Sequence, residues 1–231
     1  MRVFQIRFGG ATATAFLLDF ENKQYFVTAR HLMVNAEAKV HVELLGPAYP
    51  AWKSFAVTVL KGKNECADVA VLVPEQAKVS DAGPLPYPYT FAFGLEVYFL
   101  GFPYGLYTSF GAEGGMGVAL IKHAYISAKV SCAALIPGAP KEEEFILLDG
   151  MNNPGFSGGP VVAPDLFSTY TNIREQKLIG VIMGFRPDSS PVQVGGNALP
   201  NASVATNSGI IIAVPIDRAV ELIRDYVSRQ K

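Results

Sequence analysis

The chain has 231 residues and a formal net charge of -1 at pH 7; 50% of its residues are hydrophobic and 17% charged. That balance suits a core-rich globular protein and excludes a disordered chain. No long run of one charge sign is present, which argues against a nucleic-acid footprint or a polybasic membrane patch, while length alone does not choose between one large domain and two small ones.

Short runs rich in Val, Ile, Phe and Tyr, bounded by Gly, Pro or Asn, predict strands along most of the chain. In order they are Val3–Phe8, Ala13–Phe20, Gln24–Val27, Ala38–Leu45, Phe55–Leu60, Val69–Val73, Val97–Leu100, Ala119–Val130, Phe145–Leu148, Val161–Val162, Lys177–Phe185 and Gly209–Val214. The class is therefore all-β. One segment repeats at helical spacing: Ile216, Ala219, Val220, Ile223 and Val227 share a face, with Pro215 ahead and Asp217 in the first turn, so a terminal helix packs on the β body. The proline-dense stretch Asp81–Tyr89 is the linker candidate. Gly111–Gly117 lacks the Lys and Ser/Thr of a phosphate-binding loop and reads as a mobile surface loop. The first residues carry charge within a short apolar run, unlike a signal peptide, and no stretch reaches the roughly 18 apolar residues of a membrane span. A cytoplasmic location is expected. Cys66 and Cys132 are too few for a disulfide framework and have no metal-ligand spacing, so they are expected to be buried structural thiols.

The segment M-N-N-P-G-F-S-G-G-P-V-V (Met151–Val162) sets Ser157 among three glycines. A serine hydroxyl is a weak nucleophile without an adjacent base. All three histidines, His31, His41 and His123, precede it, which rules out the Ser, acid, His order of an α/β-hydrolase. His41 and His123 fall at polar positions of alternating strands and read as solvated. His31 closes the apolar run Y-F-V-T-A-R-H and is the candidate base. The third member should be a buried carboxylate that fixes the imidazole tautomer. Asp68, in E-C-A-D-V-A-V-L-V, fits better than Asp19 at a hairpin end, Asp81 in the linker or Asp149 beside the nucleophile turn. Gly155 would let its own N–H and that of Ser157 converge on an oxyanion, with Gly158 and Gly159 leaving room for substrate.

In the order His31, Asp68, Ser157, these motifs resemble the trypsin-like serine peptidases, and within them the protease domain of the HtrA/DegP group. Gly9–Leu18 resembles the family's opening strand pair, Gly94–Leu106 the strand and turn that open its second barrel, and Phe145–Pro160 its nucleophile segment. The resemblance implies two six-stranded antiparallel β-barrels, residues 1–88 with His31 and Asp68 and residues 89–231 with Ser157 and a C-terminal helix over 216–229. It implies a serine endopeptidase acting on proteins or peptides, with no cofactor or metal. Met151 would lie at the base of the side-chain pocket and Ile182, Met183 and Gly184 along its wall; none is acidic. Phe156 stands where digestive relatives carry the Asp that pairs with a newly cut N-terminus. No Cys brackets His31, as a reducing compartment would allow, and no PDZ module follows the helix; the oligomeric state stays open. The alternative is a catalytically silent protease-like module that binds peptides by strand addition.

Overall fold

The computed structural model describes residues 2–21, 23–46, 49–75, 92–110, 116–164 and 176–230. The first barrel is built from β1 (Val3–Phe8), β2 (Ala11–Phe20), β3 (Lys23–Thr28), β4 (Lys39–Gly46), β5 (Tyr49–Lys61) and β6 (Ala70–Pro74), closed in the order β1-β2-β3-β6-β5-β4. The second uses β7 (Glu96–Gly101), β10 (Leu120–Ser131), β11 (Glu144–Asp149), β12 (Pro160–Pro164), β13 (Gln176–Val194) and β14 (Asn197–Pro215), closed as β10-β11-β14-β13-β12-β7. Every pairing is antiparallel, so the fold is the expected double barrel. The linker candidate at Asp81–Tyr89 and the boundary at 88 lie outside the described residues, as do residues 111–115. Met116–Val118 (β9), which the sequence reads as loop, pairs with Thr108–Phe110 (β8) in a small two-stranded sheet.

Side-chain alternation explains why several strands of the first barrel read as unbroken apolar runs. Along β2, Ala13, Ala15 and Leu17 fill the first barrel, while Phe16 and Leu18 face a central cluster shared with the second barrel. β3 divides in the same way, Phe26 inward and Tyr25 and Val27 to the centre. Such strands are buried on both faces, and a two-sided burial needs apolar residues at every position. The helix α1 (Asp217–Ser228) contributes Ala219, Val220 and Ile223 to the central cluster and lies against β5 and β6, so the chain's end clasps the first barrel.

Two further features depart from the sequence reading. β13 and β14 run far beyond the expected strands and form an exposed ribbon from about residue 186 to 208, turning at Gly195–Gly196. Its sequence shows no alternation because neither face is buried. Pro187 and Pro191 fit because they lie four residues apart on one alternation, where a residue without N–H can face away from its partner strand. The second departure is that Cys66 and Cys132 are joined in a disulfide with Cα atoms 5.9 Å apart. They are buried as expected, but they are not thiols. Two 3-10 turns, Glu65–Ala67 in the first barrel and Cys132–Ala134 in the second, bring them together inside the central cluster, a meeting that a separation of 66 residues hides from any spacing rule.

Candidate active site

His31 sits just after β3, on the 3-10 turn Arg30–Met33, whose Leu32 and Met33 are buried and anchor it to the first barrel. Arg30 Nε holds the turn to the Gly62 carbonyl at 3.0 Å. Asp68 follows the second short turn, which Asn64 caps by accepting from the N–H groups of Cys66 (2.9 Å) and Ala67 (3.1 Å). Asp68 is 3% exposed, a placement that costs a carboxylate several kcal/mol without partners. Both oxygens are used on one residue: Oδ1 accepts from the His31 backbone N–H at 2.8 Å and Oδ2 meets His31 Nδ1 at 2.7 Å. This grip fixes the ring's position and leaves Nε2 as the free nitrogen. The hydrogen bond to Asp68, reinforced by its charge and opposed by burial, raises the His31 pKa above its ordinary 6.5.

Ser157 comes from the turn between β11 and β12 and lines one pocket with His31, Gly155 and Pro154. Its Oγ donates to the Met183 carbonyl at 3.1 Å rather than to His31. A catalytic Ser157–His31 hydrogen bond, if made, would have to replace this contact; such bonds are often long or absent in free enzymes and tighten with substrate. Phe156 is fully buried and meets Phe99 edge to face at 4.9 Å, which pins the turn to the second barrel's core. Gly155 has φ +105°, and a Cβ there would lie 2.3 Å from the Phe102 carbonyl oxygen.

Gly158 and Gly159 do not make room for substrate. A Cβ on Gly158 would meet the Thr14 carbonyl oxygen at 2.2 Å, and one on Gly159 the Leu100 carbonyl oxygen at 2.1 Å, so both glycines let backbones pack closely. Thr14, missed by the sequence reading, explains part of this closeness. Its N–H donates to the Ser157 carbonyl (2.9 Å), its Oγ1 donates to the Gly155 carbonyl (2.7 Å), and the same Oγ1 accepts from the Phe102 N–H (3.1 Å). A threonine on a strand buried on both faces was the available signal, since a buried hydroxyl requires partners.

Of the expected pocket residues, Met151 is about half exposed and Gly184 has open space beside it, whereas Ile182 is fully buried in the second barrel's core. Met183 packs against the central cluster and offers its carbonyl to Ser157. His41 and His123 are exposed, His123 paired with Glu96 at 2.9 Å. Among the described residues no group of His, Cys, Asp and Glu could hold a metal, and no helix is long and apolar enough to cross a membrane.

Comparison with known proteins bears on the fold and the family. The inactive form of a serine mutant of Rv3671c from M. tuberculosis H37Rv matches with a TM-score of 0.58 at 18% identity, over 99% of this chain and 88% of that one. The HtrA-type protease AlgW, solved with a tripeptide, matches with a TM-score of 0.62 at 18% identity, over 99% of this chain and 61% of that one. An AlgW variant with a decapeptide gives 0.59 at 18%, over 95% and 52%. The chain thus spans roughly half to three fifths of the AlgW chains, and at this identity the likeness is one of fold. No curated protein sequence matches significantly. The family described as the trypsin-like peptidase domain matches residues 13–166, well over half of the chain, and the chain belongs to that family.

Proposed function

We propose that the protein is a serine endopeptidase that cleaves peptide bonds through an acyl-enzyme. Ser157 Oγ attacks the scissile carbonyl as His31 Nε2 takes its proton; the C–N bond then breaks as the imidazolium returns that proton to the leaving amine. Water, deprotonated by His31, attacks the ester and releases the acid, regenerating Ser157. Asp68 holds the imidazole in the tautomer that leaves Nε2 free and stabilises the imidazolium. The N–H groups of Gly155 and Ser157 would receive the oxyanion, and neither donates to an acceptor among the described residues. The observation that carries this reading is the pair of hydrogen bonds that the buried Asp68 carboxylate accepts from His31. A structural histidine on the surface needs no such grip.

Met151, Met183 and Gly184 are proposed to shape an apolar pocket, with Ile182 supporting it from the core. Peptides are the proposed substrates; AlgW neighbours were solved with a tripeptide and a decapeptide. The Cys66–Cys132 bond favours an oxidising compartment over the cytoplasm. The silent peptide-binding reading draws on one observation, the Ser157 hydroxyl resting on Met183. Incubation with denatured casein separates the two. Fragments produced by the wild-type protein and absent with Ser157→Ala support the peptidase; intact casein retained on the protein supports the binding module.

A further inference from the structure

Between Met151 and Gly155, five consecutive carbonyl groups are each held by a donor, four of them from outside the turn. Met151 O accepts from Lys122 Nζ. Asn152 O accepts from Asn207 Nδ2 at 2.6 Å, Pro154 O from the Tyr104 N–H at 2.8 Å and Gly155 O from Thr14 Oγ1 at 2.7 Å. Asn153 O takes the Phe156 N–H at 3.3 Å. The consequence follows from peptide geometry. A trans peptide is planar, with its C=O and N–H on opposite sides. Fixing Pro154 O on Tyr104 therefore turns the Gly155 N–H the other way. Likewise, Phe156 O is held by the Gly159 N–H at 2.8 Å, which turns the Ser157 N–H away from it. The two N–H groups proposed to bind the oxyanion are aimed by what holds the carbonyls behind them.

Tyr104 donates to Pro154 from an uncommon backbone conformation, φ +53°, in the left-handed region that non-glycine residues rarely adopt. Its side chain is tied in turn. The Tyr104 hydroxyl accepts from Asn153 Nδ2 at 3.3 Å, and Asn153 Oδ1 accepts from Lys122 Nζ at 2.9 Å. Lys122 Nζ also lies 5.8 Å from the centre of the Phe156 ring. A single ammonium thus binds the start of the turn and its middle and stands over the ring of the residue beside Ser157.

We propose that Lys122 is a positioning residue that keeps the oxyanion turn in its working form, acting on the Met151 carbonyl and, through Asn153, on Tyr104. Burial holds the Lys122 pKa below its ordinary value, so the chain keeps a partly desolvated cation behind the turn. The role rests on the peptidase reading and differs from it in what it predicts.

The test compares wild type, Lys122→Met and Lys122→Arg on a fluorogenic peptide with an aliphatic residue before the scissile bond, alongside thermal melting. Misplacing a catalytic group by about 1 Å costs roughly a hundredfold in rate. Lys122→Met is expected to lose about that factor in kcat with KM nearly unchanged, and Lys122→Arg to recover most of it. The Met variant should melt within a few degrees of wild type. A Met variant with near-normal kcat overturns the proposal. So does a loss shared by kcat, KM and melting temperature that Arg does not rescue, since that pattern marks a merely structural lysine. A wild-type protein inert toward the peptide and toward serine-reactive phosphonates overturns the peptidase reading and this role with it.

Discussion

The Cys66–Cys132 bond is a disulfide that ties a turn of the first barrel to a turn of the second, and its removal has a calculable consequence. Closing a loop across 66 residues removes about 15 cal/mol/K of chain entropy from the unfolded state, or about 4 kcal/mol at 25 °C. The hydrogen bonds of both cysteines are made by their backbone, as from the Cys132 N–H to the Glu143 carbonyl at 2.7 Å and from the Cys66 N–H to Asn64 Oδ1 at 2.9 Å, and both side chains are small, so Cys66→Ala with Cys132→Ala should leave the strands intact while shifting the unfolding balance. For a chain of this size each kcal/mol moves the melting temperature by about 2–4 °C. The double variant should therefore melt roughly 10 °C lower with an unchanged far-ultraviolet spectrum, and reduction of the wild-type protein should reproduce the drop. Calorimetry of oxidised, reduced and double-alanine forms checks this. Equal melting temperatures in all three would refute the chain-entropy argument, and two free thiols titrated in protein purified without reductant would refute the bond itself.

The catalytic reading makes three further predictions. His31→Ala and Ser157→Ala should each abolish nearly all turnover and the double variant should be little worse, because residues acting as one unit do not add; Asp68→Asn should cost about 10⁴ in kcat with the fold retained, and additive losses in single-turnover assays would show the roles misassigned. The raised His31 pKa means that kcat/KM should fall with acidification through a midpoint above 6.5, since only neutral imidazole acts as base, and Asp68→Asn should move the midpoint down. The same shift contributes stability that is complete below the unfolded-state pKa and lost as pH rises through the folded-state value; a pH–rate profile centred at or below 6.5 would contradict it. Proteome-wide cleavage profiling should find small and medium aliphatic residues before the scissile bond, with broad preference because each misfit methylene is worth only about 1–3 kcal/mol, whereas sites clustered after Lys or Arg would contradict the apolar pocket around Met151.

All twelve barrel strands are visible in the sequence as apolar or alternating runs, because each has at least one face in a barrel or in the central cluster. The outer halves of β13 and β14 are not, since exposed ribbon leaves no hydrophobic pattern and its prolines read as breaks. The pairing of His31 with Asp68, and the pocket that His31 shares with Ser157, are legible because chemistry constrains residue type as well as place. The contacts around the Ser157 turn are not: Lys122 lies on a strand of alternating exposure and Tyr104 reaches the turn through its backbone N–H. The roles of Gly158 and Gly159 were misread because a sequence shows where glycine occurs but not which backbone approaches it. The cysteines were misread for the same reason, their pairing being a property of two distant turns.

The central claim, that Ser157 is a nucleophile activated by His31, is tested most directly by intact-mass measurement after exposure to a peptidyl phosphonate bearing an aliphatic residue at the reactive end. One adduct on wild-type protein, mapped to Ser157, absent from Ser157→Ala and formed far more slowly in His31→Ala, is the predicted result. A folded wild-type protein that gains no mass, or an adduct that persists in Ser157→Ala, would contradict the claim.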